Sequence, residues 1–288
     1  MRILVTGPTG NVGRAVVKDL SRLRVEIHAA GRTPQAPEGL TCAAWRQLDF
    51  ERGMGLELGD RYDALFLIRP PQLADPAPFE ALLRGTSTRT RIVFLSVQGA
   101  AGRPWLPHTK IEKAILRGGF PHVHFLRPGY FMENLTTTLA AEIQRAGRIF
   151  LPSGSLGFNW TAIEDIAAVA AKLLTEGGPL AVELTGPEAL GFQQAIEIVN
   201  EAAGVHWRYQ SPSVLGYVLH ARRVKEPWIY VLVQLMLHWW PRFTGQDPLT
   251  REFHALMGRE PIGLGDWAFR NREQLRKITR PEAVPGPD

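Results

Sequence analysis

At 288 residues and 45% hydrophobic composition, the chain is long enough for one sizeable core and a smaller appended lobe. Its single cysteine, Cys42, excludes an intrachain disulfide and a cysteine-based metal site, and suits a reducing cytoplasm. The net charge of +5 is concentrated in residues 206–280, where twelve Arg/Lys stand against six Asp/Glu, so that stretch either meets an anionic group or is a solvated surface.

The first 150 residues alternate short apolar runs with helical patterns, which predicts a parallel sheet flanked by helices. The expected strands are 2–6, 25–30, 43–47, 64–68, 92–96 and 122–126, several of them near-continuous Val/Ile/Leu/Phe runs. Helices are expected at 13–22, 51–58, 78–84 and 109–117. The opening residues read as the first strand and not as a secretory signal. Beyond them the pattern predicts a helix over 131–146, a strand at 159–163, a helix over 164–176, a strand at 181–184 and a helix over 192–203. Asp165 near a helix start suits the positive end of the dipole. Residues 206–209 alternate like a strand, and 213–271 are mostly helical, divided by Pro227, Pro241, Pro248 and Pro261.

The fold expected is a doubly wound parallel α/β sheet of Rossmann type with a smaller, mostly helical C-terminal substrate lobe. The dinucleotide domain spans 1–155, its sheet completed by parts of 156–205. The lobe spans 206–280, and the proline-rich 281–288 is a disordered tail. The apolar run 228–240 is broken by Gln234 and His238 and falls short of the about 20 residues of a membrane span. It reads as core, as a roof over a planar apolar substrate, or as a subunit interface in a homodimer. No membrane partner is expected. No metal site is indicated by ligand spacing, and no nucleic-acid-reading motif occurs.

The most informative motif is Thr6-Gly7-Pro8-Thr9-Gly10-Asn11-Val12-Gly13, between the first strand and the first helix. Glycines there permit a tight turn, close approach of backbone to a pyrophosphate and close helix–strand packing. The helix N-terminus offers free N–H groups and a favourable dipole to phosphates. The second strand ends in Ala30-Gly31-Arg32. Where NAD-preferring folds commonly place a carboxylate, this chain has a guanidinium, which pairs with a 2′-phosphate. That argues for NADP(H). Asp49 and Phe50 follow the third strand. Asp49 either accepts from an adenine amino group, caps the following segment, or does both.

These segments, with Leu65–Pro71, Phe94–Gly99, His108–Glu112, Leu126–Leu135, Ala162–Ala167 and Leu184–Gly186, follow one another at spacings that resemble the NmrA-like, atypical short-chain dehydrogenase/reductase family over residues 1–200. The resemblance implies that Gly7, Thr9, Gly10, Asn11 and Val12 hold the pyrophosphate, Arg32 the 2′-phosphate, and Asp49 and Phe50 the adenine. It implies Ile68, Arg69 and Pro70 along the adenosine path and Ser96 and Val97 beside the nicotinamide ribose. Pro128, Gly129 and Tyr130 would close over the nicotinamide. The wider superfamily's Tyr-x-x-x-Lys pair is missing: setting its glutamate on Glu112 puts His108 at the lysine position and Pro104 at the tyrosine position. His108 then either contacts the ribose or protonates a product, or it caps the helix near Thr109. Tyr130 is either a proton donor or a pocket wall. The resemblance implies NADPH-dependent reduction of a quinone-like or other conjugated acceptor or, alternatively, a non-catalytic redox sensor that binds a protein partner.

Overall fold

Apolar runs become strands wherever both sheet faces are covered. The structure, a computed structural model, describes residues 1–59 and 61–279. The tail 281–288, expected to be disordered, lies outside the described residues. Seven strands form one sheet: β1 (Arg2–Thr6), β2 (Glu26–Gly31), β3 (Ala44–Gln47), β4 (Ala64–Ile68), β5 (Arg91–Leu95), β6 (Val123–Pro128) and β7 (Ala181–Leu184). Every pairing is parallel, in the order β7-β6-β5-β4-β1-β2-β3. The winding therefore reverses at β1, which lies between β2 and β4. In open α/β sheets that reversal is where a crevice opens at the carboxyl ends of the strands.

Helices α1 (Asn11–Leu20), α2 (Ala77–Arg84), α3 (Pro107–Arg117) and α4 (Ile163–Thr175) cover the sheet. Helices α2 and α3 cover the face that carries Leu4, Leu65, Leu67, Ile92 and Phe94. Strand alternation sends Ile3, Val5, Phe66 and Val93 to the other face, where α1 packs on α4. The ring of Phe79 is wholly buried and stacks on Phe50 at 4.4 Å between centroids.

The helix expected over 51–58 does not form. Gly53, Gly55 and Gly59 take φ of +65°, +74° and +63°, which an α-helix does not contain, and a Cβ on Gly55 would lie 2.2 Å from the Gln47 carbonyl oxygen. The segment is instead a turn closed by reciprocal backbone hydrogen bonds of Asp49 and Met54, both 2.9 Å.

The chain divides into two units. The first holds Met1–Gly129, Ile163–Leu184 and Thr250–Glu260. The second holds Tyr130–Ala162, Thr185–Leu249 and, of the described residues, 261–279. The division differs from the boundaries at 155 and 206. Helix α4 and β7 belong to the sheet because each buries an apolar face against it. The short helix α5 (Glu252–Met257) also returns to this unit. There Thr250 Oγ1 donates to the Glu183 carbonyl at 2.5 Å, Glu252 accepts from the Glu183 N–H at 2.6 Å, and Arg259 pairs with buried Asp165 at 2.7 Å. These contacts satisfy main-chain groups of the edge strand β7.

Besides its helical C-terminal part, the second unit has β structure. It contains a three-stranded sheet of Ala189–Gly191, Gly157–Thr161 and Tyr130–Phe131, and a parallel pair of Arg208–Gln210 with Arg148–Phe150. The helix expected over 131–146 is interrupted. A 3-10 turn at Met132–Leu135 is followed by Thr136 and Thr137, whose hydroxyls both bond back to the Glu133 carbonyl, and the α-helix begins only at Ala140. Phe192, Trp160, Trp207 and Ile149 form the centre of this unit's core. Replacing Phe79 by Ala is expected to cost about 3–5 kcal/mol, because a large buried ring leaves a cavity; urea unfolding measures it.

Candidate functional site

The site is built from the carboxyl ends of β1, β2, β4, β5 and β6. At β1, Thr6 Oγ1 donates to the Phe66 carbonyl at 3.1 Å and accepts from the Ile68 N–H at 2.9 Å. One hydroxyl thus joins the ends of β1 and β4 where the glycine turn begins. Gly7 takes φ of +62°, and its position packs against Ile68. A Cβ on Gly13 would lie 2.1 Å from the Gly7 carbonyl oxygen, so α1 starts in direct contact with the turn. Pro8, Thr9, Gly10, Asn11 and Val12 fill that turn and the first residues of α1.

The start of α1 is left chemically open. Its N-cap is Gly10, no side chain caps it, and its first turn contains no acid. First-turn N–H groups have no intrahelical acceptor. An anion such as a pyrophosphate fits this arrangement by charge and by hydrogen bonding. Immediately beyond β2, Arg32 is exposed, and among the described residues its guanidinium makes no ion pair. Its carbonyl accepts from Gln47 at 3.0 Å, which anchors the backbone and leaves the side chain available. A dinucleotide carrying a further phosphate suits these donors.

Asp49 is buried, and its Oδ1 accepts from the N–H groups of Glu51 at 2.9 Å and Arg52 at 3.2 Å. It thus caps the turn that replaced the expected helix, while Oδ2 lies 3.8 Å from Arg52 Nε. Phe50 belongs to the core through its stack on Phe79.

After β4, Arg69 organises its own loop. Its Nη1 donates to the carbonyls of Pro70, Pro71 and Leu73 at 3.0, 2.7 and 2.8 Å, and its Nε donates to His108 Nε2 at 3.3 Å. His108 is the second residue of α3 and does not cap it. Since Nε2 accepts, Nδ1 carries the proton of the neutral ring. Burial, with the Arg69 charge beside it, pushes the imidazole down to about 4. His108 is a neutral hydrogen-bonding group at physiological pH and a poor reservoir of protons.

After β5, Ser96 and Val97 lead to Gly99, which takes φ of +73°. Ser96 Oγ donates to Glu112 Oε1 at 2.5 Å. Glu112 is buried and receives Arg127 Nε at 2.9 Å and Nη2 at 2.6 Å. Arg127 Nη1 reaches Glu183 at 3.2 Å, and Glu183 Oε2 accepts from the Gly99 N–H at 3.1 Å. Hydrogen bonding to Glu112 holds the Arg127 guanidinium above its ordinary value. The network fixes the ends of β5, β6 and β7 relative to one another. Sequence reasoning did not assign it, although Glu112 and Arg127 both lie in segments that carry the family resemblance. Pro128 ends β6, and the N–H of Gly129 donates to the Leu184 carbonyl at 2.8 Å.

Tyr130 belongs to the second unit. Its ring packs among Phe158, Trp160, Phe192 and His238 at centroid distances of 5.0–5.8 Å. His238 Nδ1 lies 2.9 Å from the Gln234 carbonyl, which only accepts, so Nδ1 carries the proton. Nε2 then accepts from the Tyr130 hydroxyl at 3.2 Å. Burial raises the Tyr130 phenol far above its ordinary value and pushes His238 down to about 4. In this arrangement the Tyr130 hydroxyl is committed to His238.

Glu112→Ala is expected to cost about 1–3 kcal/mol in urea unfolding, because it removes two of the three carboxylate contacts of Arg127 and leaves Glu183 alone to hold its charge, and Glu112→Ala/Arg127→Leu to recover part of that loss. A second expectation concerns acid. His238 is near 6.5 when unfolded and about 4 when folded, so the unfolded state binds more protons between those values. Stability is therefore full above pH 6.5 and falls as pH drops toward 4, by on the order of 1–3 kcal/mol for this group, and His238→Gln removes its share. Urea midpoints taken from neutral to acid pH measure both curves.

No family model matches the chain. It is 30% identical over 294 residues to the prestalk A differentiation protein A of Dictyostelium discoideum, covering 97% of this chain and 92% of that protein. It is 28% identical to the NAD(P)H azoreductase of Xenophilus azovorans over 72% of this chain and 76% of the azoreductase. Its fold matches that of the NADPH-dependent quinone oxidoreductase of Escherichia coli with a TM-score of 0.75 at 22% identity, covering 94% of this chain and 99% of that one. With full-length similarity at that level and a doubly wound sheet that carries the glycine turn, the chain belongs to the NAD(P)-binding atypical short-chain dehydrogenase/reductase family.

Proposed function

We propose that the chain binds NADP(H) and catalyses NADPH-dependent reduction of a quinone-like or other conjugated acceptor, on the NmrA-like branch of its family. The observation that carries this reading is the open α1 N-terminus, with Arg32 unpaired at the end of the neighbouring strand. The first-turn amides and the turn of Gly7, Thr9, Gly10, Asn11 and Val12 would hold the pyrophosphate, and Arg32 the 2′-phosphate. Ile68, Arg69 and Pro70 would border the adenosine, and Ser96 and Val97 the nicotinamide ribose.

When bound, NADPH supplies a hydride, and the acceptor takes up one further proton from solution. The residues of the chain supply position and electrostatics. Arg69 and the Glu112–Arg127–Glu183 network hold the β4 and β5 loops at fixed height. His108, neutral and fixed by Arg69, can hydrogen-bond an oxygen without delivering a proton. No tyrosine stands in the superfamily position, which Pro104 occupies. This suits an acceptor whose reduced anion is stabilised by conjugation, since such an anion needs little acid assistance. The activities for which the azoreductase relative and the quinone oxidoreductase of like fold are named support the same class. The missing Tyr-x-x-x-Lys pair favours the sensor reading, but neither relative named for its activity supports it. A reducing cytoplasmic setting is part of the proposal and agrees with the lone Cys42.

Loss of nicotinamide absorbance across quinones, azo dyes and simple ketones tests this reading. Turnover is expected with the conjugated acceptors and not with the ketones; a protein that binds neither NADPH nor NADP⁺ in calorimetry refutes it. Arg32→Glu is expected to raise the KM for NADPH by roughly 10–100-fold, with a much smaller change for NADH, because one charge-assisted phosphate contact is removed. Tyr130→Phe is expected to retain turnover, since the hydroxyl is held by His238.

A further inference from the structure

In the second unit, the helix Trp228–His238 packs with its polarity reversed. Its inward face presents Val231, Gln234 and His238; Gln234 is 2% and His238 1% exposed. Its outward face presents Trp228, Ile229, Leu232, Val233, Met236 and Leu237, continued past the helix by Trp240 and Phe243. Ile229 is 70% and Phe243 69% exposed. The outward positions recur at intervals of about four residues, so they form one continuous stripe. Lone exposed apolar residues need no explanation, but a contiguous stripe of eight large ones does. Inward, the Tyr130 hydroxyl donates to His238 Nε2 at 3.2 Å, and Tyr230 donates to the Thr138 carbonyl at 3.1 Å. The helix therefore cannot turn its apolar face inward without breaking those bonds.

The charges around the stripe select what covers it. Residues 213–244 contain Arg222, Arg223, Lys225 and Arg242 against a single acid, Glu226. Arg222, Arg223 and Lys225 are exposed and make no ion pair among the described residues. Lys225 takes φ of +59°, a backbone conformation that glycine adopts freely, yet the position carries a lysine. Basic residues thus stand at both ends of an apolar stripe that has a tryptophan near each end. A second copy of the chain, docked by two-fold symmetry, would bring the same basic rim against itself. We propose that this stripe docks on an anionic phospholipid bilayer, lying in the headgroup region with Trp228 and Trp240 as interfacial anchors and Arg222, Arg223, Lys225 and Arg242 facing lipid phosphates. The helix does not span: among the described residues no helix is long and apolar enough to cross a membrane. The docking stands whether or not the chain turns over NADPH.

The experiment is flotation of the full chain with phosphatidylcholine vesicles, with and without phosphatidylglycerol, alongside tryptophan emission and sedimentation velocity. The wild type is expected to float with the anionic vesicles, to shift its emission to the blue on adding them, and to be released by salt. Ile229→Asp/Phe243→Asp changes exposed positions only, so thermal melting stays unchanged while binding falls. Arg222→Glu/Arg223→Glu is expected to weaken binding to the anionic vesicles by at least about tenfold. Failure of the wild type to float or shift with either vesicle overturns the proposal, as does undiminished flotation of the first variant. A wild-type dimer that the same variant dissociates would assign the stripe to a second copy and overturn it equally.

Discussion

The contact between the Gly7 carbonyl and the Cα of Gly13 governs the cofactor end of this molecule. A Cβ at position 13 would lie 2.1 Å from that oxygen, so only glycine lets α1 begin where it does. The short approach aims the helix N-terminus past the end of β1, where among the described residues no side chain caps its first amides. The Thr6 hydroxyl holds the turn against β4, and the sheet reverses its winding at this strand. Geometry and dipole thus converge at one point, the place where an anion is stabilised most.

Around that point the charges are sorted by burial. Glu112 and Arg127, both shielded from water, are fully engaged with each other, with Ser96 and with Glu183. Unpaired, either would carry a large desolvation penalty, so pairing is the condition for placing charge under the site at all. The benefit is rigidity, since three strand ends and the Gly99 turn move as one. Arg32 lies at the exposed tip and, among the described residues, pairs with no carboxylate. The same side-chain type serves as a fixed brace where it is buried and as an available recognition group where it is exposed.

In the second unit, polar groups also determine which face is turned inward. The Tyr130 hydroxyl bonds His238 among the rings of Phe158, Trp160 and Phe192. Satisfying those groups orients the helix Trp228–His238, and the outward display of its aliphatic and aromatic residues is the consequence. Both histidines of interest, His108 and His238, are neutral for the same reason: burial penalises the charged ring more than any neighbour favours it.

The sequence by itself determined the doubly wound sheet, since strands buried on both faces must be continuous apolar runs, and β1 and β4 fall where those runs lie. It also determined the glycine turn and the guanidinium after β2, because both depend on residue type at a fixed distance from a strand end. Tertiary structure decided what local pattern leaves undetermined. Glycines at positive φ overrode the helical pattern of 51–58, and threonine hydroxyls bonding back to Glu133 broke the helix over 131–146. The partners of Glu112, Asp165 and Tyr130 come from 15 to 108 residues away, a separation that no local window reads. Which face of the helix at 228–238 turns outward was likewise beyond the sequence. A segment apolar on almost every side has little periodicity to orient it, and the hydrogen bonds of His238 to Tyr130 and of Tyr230 to Thr138 fix its rotation.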